Sequence, residues 1–563
     1  MEYLRRFYKH IFLVSSFLLL LFIAIPSLNP LENTMFDFHD LTQAGRINQF
    51  ALSLREGQIP PRLAPELSFN QGFPLFNFYA PFAYWITTSI HLLRVSVMSS
   101  LKLSFFLAFT LSFFTMLSFL RRLFNFLPSL LGATLYVTST YFATEIVIRG
   151  NLAETWYLAL LPLALSLLMI NSKKFSRKNF FFTTIILFFT FTVHNVFSLL
   201  SMALFTIFSL LLPNKKVNLV AIVLSLLLGS YFLLPALTET SFIQINSLIK
   251  GYNYQDHFLC AWQLWNSNGW HFGSSMAGCD NDLMSFKLGK LNLILGAFGF
   301  LLLLYRSFRQ KKNDATKRIS IFMGILFAAS LLLTLNYSKP IWDLFSPVMA
   351  LFQFPWRFLI FGMVGLSFFG AYLFHYLKMP FKTVLIVLII LISFVTARKY
   401  LIKPMHSYSE YNTKYNSKTY IAEELAYMMP EYISSHTDYN YWSTFDPASS
   451  NRRTINYDYE LPVQSEQPVI VEKNEYFEKR GRTSGPAELV LNIQYFPYWK
   501  VYVDNKEVII NKFDKLGRLV LKLNEPAQVR ISYEQTPIEQ TGNLLTLIGF
   551  VLLGNIIYRN KLI

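Results

Sequence analysis

The chain has 563 residues, of which 53% are hydrophobic, 17% aromatic and only 15% charged. Soluble domains carry about 25% charged residues, so this composition excludes an ordinary globular enzyme and points to a polytopic membrane protein. The formal net charge of +17 calls for no nucleic-acid partner, because membrane proteins concentrate Lys and Arg in their cytoplasmic loops.

The opening residues, MEYLRRFYKHIFLVSSFLLLLFIAIPSLNP, combine a basic start with an apolar run over 11–26. That run is long for a signal peptide and no small-x-small cleavage site follows it, so a retained first helix is expected. Residues 36–85 then form a polar loop that opens FDFHDLTQAGRINQF and continues EGQIPPRLAPELSFNQGFPLFNFYAPFAYW. Asp37, His39, Asp40 and Arg46 come first, followed by Pro-rich and aromatic stretches, a composition suited to a polar reaction site at a membrane face. Residues 78–93 are apolar enough to cross. Counting them as a span would move Arg121 and Arg122 to the outer side, so they read as an interfacial or re-entrant helix.

Apolar runs fall at 11–27, 98–120, 126–148, 155–171, 179–194, 196–212, 217–237, 290–306, 318–335, 356–377, 382–398 and 541–558. About 20 helical residues cross a bilayer core, so twelve spans are expected. With simple alternation, Arg5, Arg6 and Lys9, Arg121 and Arg122, the Lys173–Lys178 cluster, Lys215 and Lys216, the 306–318 cluster, Lys378 and Lys382, and Arg559 and Lys561 share one side. This is the positive-inside pattern, with both termini cytoplasmic. Arg398 and Lys399 are the exception. The expected organisation is a transmembrane domain over 1–399 with outer loops at 28–97, 149–154 and 238–289. An outer domain over 400–540 and a final span with a cytoplasmic tail over 541–563 complete it.

Cys260 and Cys279 lie in one outer loop. A disulfide closing this ~20-residue segment adds about 3 kcal/mol in an oxidising compartment, the alternative being two free thiols. Farther on, GPAELVLNIQYF, WKVYVDNKEVII, GRLVLKLN and AQVRISYE alternate with period two between turn residues, predicting an antiparallel β domain over 468–537. Its Tyr495, Trp499 and Tyr502 suit a core or a sugar-stacking surface.

Several polar residues are candidates for chemistry. Asp37 and Asp40 fit either favourable charge at a helix N-terminus or a carboxylate base or metal ligand. Glu154 can pair with Arg149, or join Asp40 in a site where Glu binds a cation and Arg a phosphate. His194 and Glu239 sit at helix ends with the same ambiguity. The phosphate-cradling Gly loop, zincin motif, GxSxG elbow and Cys-His zinc spacing are all missing, which removes ATP-driven transport and most soluble-type hydrolysis.

An outer first loop with an Asp, a second with a Glu, many spans and a C-terminal outer domain resemble the GT-C superfamily of integral membrane glycosyltransferases. HDLTQAGRI, GQIPPRLAPEL, GFPLFNFYAPFAYW, RGNLAETW, FQFPWRF, MMPEYI and YFPYWKVYVDNKEV resemble the bacterial YfhO-like group in particular. The resemblance implies transfer of a sugar from a polyprenyl-phosphate carrier to a cell-envelope acceptor. Asp40 would be the base, with Asp37 in reserve. Arg46, Arg149, His194 and Arg357 would bind substrate, and Glu154 the acceptor or, with His39, a divalent metal such as Mg or Mn. Some GT-C enzymes have paired adjacent acids where this chain has His39 and Asp40. A non-catalytic glycan-binding or assembly protein, or a lipid-linked sugar transporter, is the alternative.

Overall fold

The computed structural model describes residues 2–249, 254–267, 269–271, 273, 282–309, 314–450 and 452–559. The chain is mostly helical, and each of the twelve apolar runs lies on helix. Eight helices are long and apolar enough to cross a membrane, and a ninth crossing results if the pair Lys215–Leu228 and Ser230–Thr238, bent by 71°, is one span. The bend falls at Gly229, a residue type that marks helix kinks. Three of the twelve apolar runs carry shorter helices. Phe126–Val137, Arg177–Phe191 and Asn195–Leu210 have 12, 15 and 16 residues, or about 18–24 Å of helix, against a core of about 30 Å. The first of these is extended by Thr140–Ala143 and a π-helical turn, Thr144–Arg149. In the 78–93 stretch the helix is Phe82–Leu92, only 11 residues, which is too short to cross.

Hydrogen bonds at the helix ends define two opposite ends of the bundle. At one end Arg122 Nε donates to Ser166 Oγ (3.4 Å), Asn214 Nδ2 to the Ser172 carbonyl (2.9 Å) and Arg318 Nη2 to the Leu211 carbonyl (3.2 Å). At the other, Lys102 donates to the Glu32 carbonyl (3.0 Å), Thr536 to Glu239 (2.6 Å) and the Lys403 amide to Ser27 (3.3 Å). The basic clusters at 121–122, 173–178, 215–216 and 317–318 therefore gather at the first end and the polar loops at the second. Arg398 is at the second end, where its guanidinium lies 4.4 Å from the Phe22 ring.

The polar loops are joined to the C-terminal region in two places. A short antiparallel pair aligns Met35 with His406 and Thr34 with Ser407. Deeper, buried Arg62 donates to Asn77 Oδ1 (3.0 Å), the Tyr231 carbonyl (2.6 Å) and Asn543 Oδ1 (2.9 Å). Asn77 in turn donates to Glu539 (2.6 Å), which also accepts from Tyr533 (3.1 Å). Every polar atom fixed this way offsets the penalty for burying it, so the network pins the helix Pro537–Arg559 to the first loop.

The alternating segments form two antiparallel sheets. One has five strands, in the order Val469–Asn474, Glu478–Thr483, Gln528–Tyr533, Trp499–Val503 and Lys506–Glu507. The other has three, Val463–Gln464, Ala487–Gln494 and Arg518–Leu523. Trp499 and Val501 are buried while Lys500 between them is not, as a one-sided strand requires. Tyr502 is half-buried and donates to Glu534 (2.7 Å). Cys260 is disulfide-bonded; Cys279 lies outside the described residues.

Candidate functional site

The site is built on a short helix. Thr42–Arg55 begins just after Asp40, so its N-terminal dipole favours the carboxylate. Asp40 Oδ1 accepts from Thr42 Oγ1 and Oδ2 from Gln43 Nε2, both at 2.5 Å. One turn on, Arg46 Nη1 lies 3.8 Å from Asp40 Oδ2, with side chains 6% and 22% exposed respectively. Arg46 is held from three sides. Its Nη1 donates to Tyr84 Oη (3.3 Å), its Nε to Met429 Sδ (3.0 Å), and its guanidinium lies 4.0 Å from the Tyr79 ring centroid. Tyr84 donates to Gln43 (2.6 Å), closing a ring of contacts back to Asp40.

Asp40 is anchored to a second cluster through its backbone. The His39 and Asp40 amides donate to the Ile148 and Arg149 carbonyls at 2.9 and 2.8 Å. The partner is the π-helical turn Thr144–Arg149, which ends at Gly150 with φ +65°. A Cβ on Gly150 would come within 2.1 Å of the Phe38 ring, so both the conformation and the close approach demand glycine. π-Helical turns concentrate at functional sites.

Beyond this turn Arg149 forms a fork on Glu154, with Nη1–Oε2 of 2.8 Å and Nη2–Oε1 of 3.0 Å, and also meets Glu145 at 2.5 Å. Arg357 Nε and His194 Nε2 lie 3.3 and 3.5 Å from Glu154 Oε1. Asn151 donates to the same carboxylate (3.0 Å), and Glu154 is fully buried. Arg149, Glu154, His194 and Arg357 therefore meet in one buried cluster.

The structure separates other nominees. Asp37, with its side chain 73% exposed, faces His406 at 3.2 Å and accepts from Tyr411. Its neighbours are thus in the C-terminal segment and not in the Asp40 ring. The metal assignment also fails on geometry. Two arginines and a histidine surround Glu154, so a divalent ion would meet positive charge there, and no group of three His, Cys, Asp or Glu converges among the described residues. His39 is exposed. Glu239 bonds Thr536 instead and takes no part in this site.

Sequence reasoning missed Glu431. It lies on the turn Pro430–Tyr432, between Met429, which contacts Arg46, and Tyr432, whose ring is 6.2 Å from that of Tyr79. Burial, the largest influence, lifts its carboxyl above the ordinary glutamate range; a bond to its own backbone and the Arg46 charge oppose this, and Asp40 adds to it. The signal was the MMPEYI segment, which carried a resemblance without a role. Glu145 was missed as well, hidden in an apolar run.

No protein-family model matches this chain, and no curated protein matches it. Among solved structures, the cryo-EM structure of the arabinofuranosyltransferase AftD from Mycobacteria is similar over 70% of this chain, with a TM-score of 0.44 and 13% identity. The chain spans 27%, about a quarter, of the length of that protein's chain.

Proposed function

We propose that the protein is a GT-C-type glycosyltransferase, of the YfhO-like kind, that moves a sugar from a polyprenyl-phosphate carrier to a glycan, lipid or protein of the cell envelope. The observation that carries this reading is the Asp40–Arg46 pair: a partly exposed carboxylate 3.8 Å from a guanidinium, at the loop end of an apolar bundle. Asp40 takes the proton of the acceptor hydroxyl as its oxygen attacks the anomeric carbon. The bond from that carbon to the carrier's phosphate breaks, and the phosphate keeps the electron pair. Arg46 meets the charge that develops there, a contact that strengthens toward the transition state. Glu154 acts at one remove, holding Arg149 and Arg357 in place. Glu431, on the turn beside Arg46, hydrogen-bonds a sugar or acceptor hydroxyl.

The positive-inside distribution supports both termini in the cytoplasm, twelve crossings and the Asp40 loop outside. The short helices Arg177–Phe191 and Asn195–Leu210 then cross a locally thinner layer. Incubating purified protein in proteoliposomes with a panel of polyprenyl-phosphate sugars tests the proposal. Release of polyprenyl phosphate with glycosylated product is expected. Failure of every donor to turn over, with acceptor-containing membrane extract present, contradicts it.

A further inference from the structure

We propose that a cleft in the C-terminal region binds an anionic saccharide, meaning sugar units that carry carboxylate or phosphate. The cleft lies between residues 441–457 and the turn at 514–518 and encloses about 620 Å³, within the range of small-molecule sites. Its lining includes Arg452, Arg453, Lys515 and Arg518, against the single carboxylate of Asp514. Arg452 lies 3.4 Å from Glu423, an exposed pair of little strength. Arg453 and Lys515 have no carboxylate partner among the described residues and lie 5.4 and 5.2 Å from the ring of Tyr441. Two cations against one aromatic ring suit a sugar stacked on that ring with its acidic group between them.

Arg518 makes the cleft a built site. It is 7% exposed, donates through Nε to Asp514 Oδ2 (2.8 Å) and stacks 4.2 Å from the centroid of Tyr457. Its Nη1 is buried with no hydrogen-bond partner. An unmet guanidinium donor in a cleft is expensive to maintain, and an oxyanion there would satisfy it. The turn that presents Arg518 is itself fixed, since Asp514 Oδ1 accepts from the Leu516 and Arg518 amides at 3.0 and 2.9 Å.

The cleft also adjoins the first loop. Tyr457 accepts from Gln71 (3.1 Å) and Phe445 packs 5.9 Å from Phe69. Ser68, Phe69 and Asn70 there hold φ of 56°, 58° and 56°, a left-handed run that persists only where surroundings enforce it. The Ala422 carbonyl accepts from the Phe69 amide (2.8 Å) and Asn492 donates to the Phe69 carbonyl (3.2 Å).

Binding requires no turnover, so the test is independent of the transfer reaction. Full-length protein in nanodiscs is titrated with trigalacturonate, trehalose 6-phosphate, maltotriose and inorganic phosphate. One or both acidic saccharides should bind saturably, at least ten-fold more tightly than maltotriose or phosphate, and more weakly as salt rises. The two acidic probes tell carboxylate from phosphate recognition. The double variant Arg453→Gln/Lys515→Gln should lose at least ten-fold, and Tyr441→Ala should weaken binding while both stay monodisperse. Equal binding of maltotriose, equal binding of phosphate alone, an unchanged double variant, or no saturable binding of either acidic probe overturns the proposal. So does binding of anionic-lipid vesicles through the same residues when neither saccharide binds.

Discussion

Replacing Arg149 by Gln tests the buried cluster most severely. Three charge-assisted bonds disappear, two to Glu154 and one to Glu145. At about 1.5–3 kcal/mol each they would sum to about 4.5–9 kcal/mol. Burying the guanidinium is itself unfavourable, however, and measured losses for breaking buried pairs are about 3–5 kcal/mol, so the lower figure governs. Near 2 °C per kcal/mol for a large chain, the unfolding midpoint should drop by about 6–10 °C. Thermal unfolding in mild detergent, followed by loss of the monodisperse peak, reads this directly. Arg149→Lys keeps the charge without the fork and should fall between. Adding Glu154→Gln to Arg149→Gln should recover part of the loss, because one uncompensated carboxylate is removed. An Arg149→Gln midpoint within 1 °C of wild type, or a double variant weaker than the single one, would refute the reasoning.

Gly150→Ala should misplace the 148–149 backbone and lower the midpoint, and Phe38→Ala added to it should relieve the clash at 2.1 Å; an additive double variant contradicts this. Burial lifts the Glu239 carboxyl to about 7 from 4.5, with Thr536 opposing and Glu539 adding to it. The folded state therefore holds the proton more firmly than the unfolded one, and this contribution, complete below about 4.5, is lost as pH rises through about 7. Midpoints measured from pH 5 to 8 should fall less in Glu239→Gln than in wild type, and parallel curves exclude the effect. Glu431→Gln should retain more transfer activity than Glu431→Ala, because an amide still hydrogen-bonds a hydroxyl; equal rates argue against a hydrogen-bonding role.

Helices and strands were largely legible because each run carries its own period: the apolar stretches at 98–120 and 356–377, or the alternation through Trp499 and Val501. Lengths were less so. The break at Thr138–Ser139 and the π-helical turn after it depend on what packs against them, and a hydropathy run cannot register that. The candidate site divides the same way. Asp40, Arg46, Arg149 and Glu154 were visible as polar residues at the ends of apolar segments. Glu154 binding Arg357 across some 200 positions, Asp37 pairing with His406, and Glu431 arriving beside Arg46 are long-range facts that local pattern does not carry. Glu145 was concealed because a buried acid neutralised by a neighbouring Arg looks, in sequence, like an interruption in a span.

The central claim is that Asp40 is the base for sugar transfer. Its most direct test is the transfer rate of Asp40→Asn in proteoliposomes beside wild type, with the unfolding midpoint measured on the same preparations. Asparagine keeps the shape and loses the charge, and a positioned base typically supplies 10²–10⁴-fold in rate. The account predicts transfer reduced by at least about 100-fold with the midpoint within a few degrees of wild type. Transfer at the wild-type rate by the folded variant would contradict it.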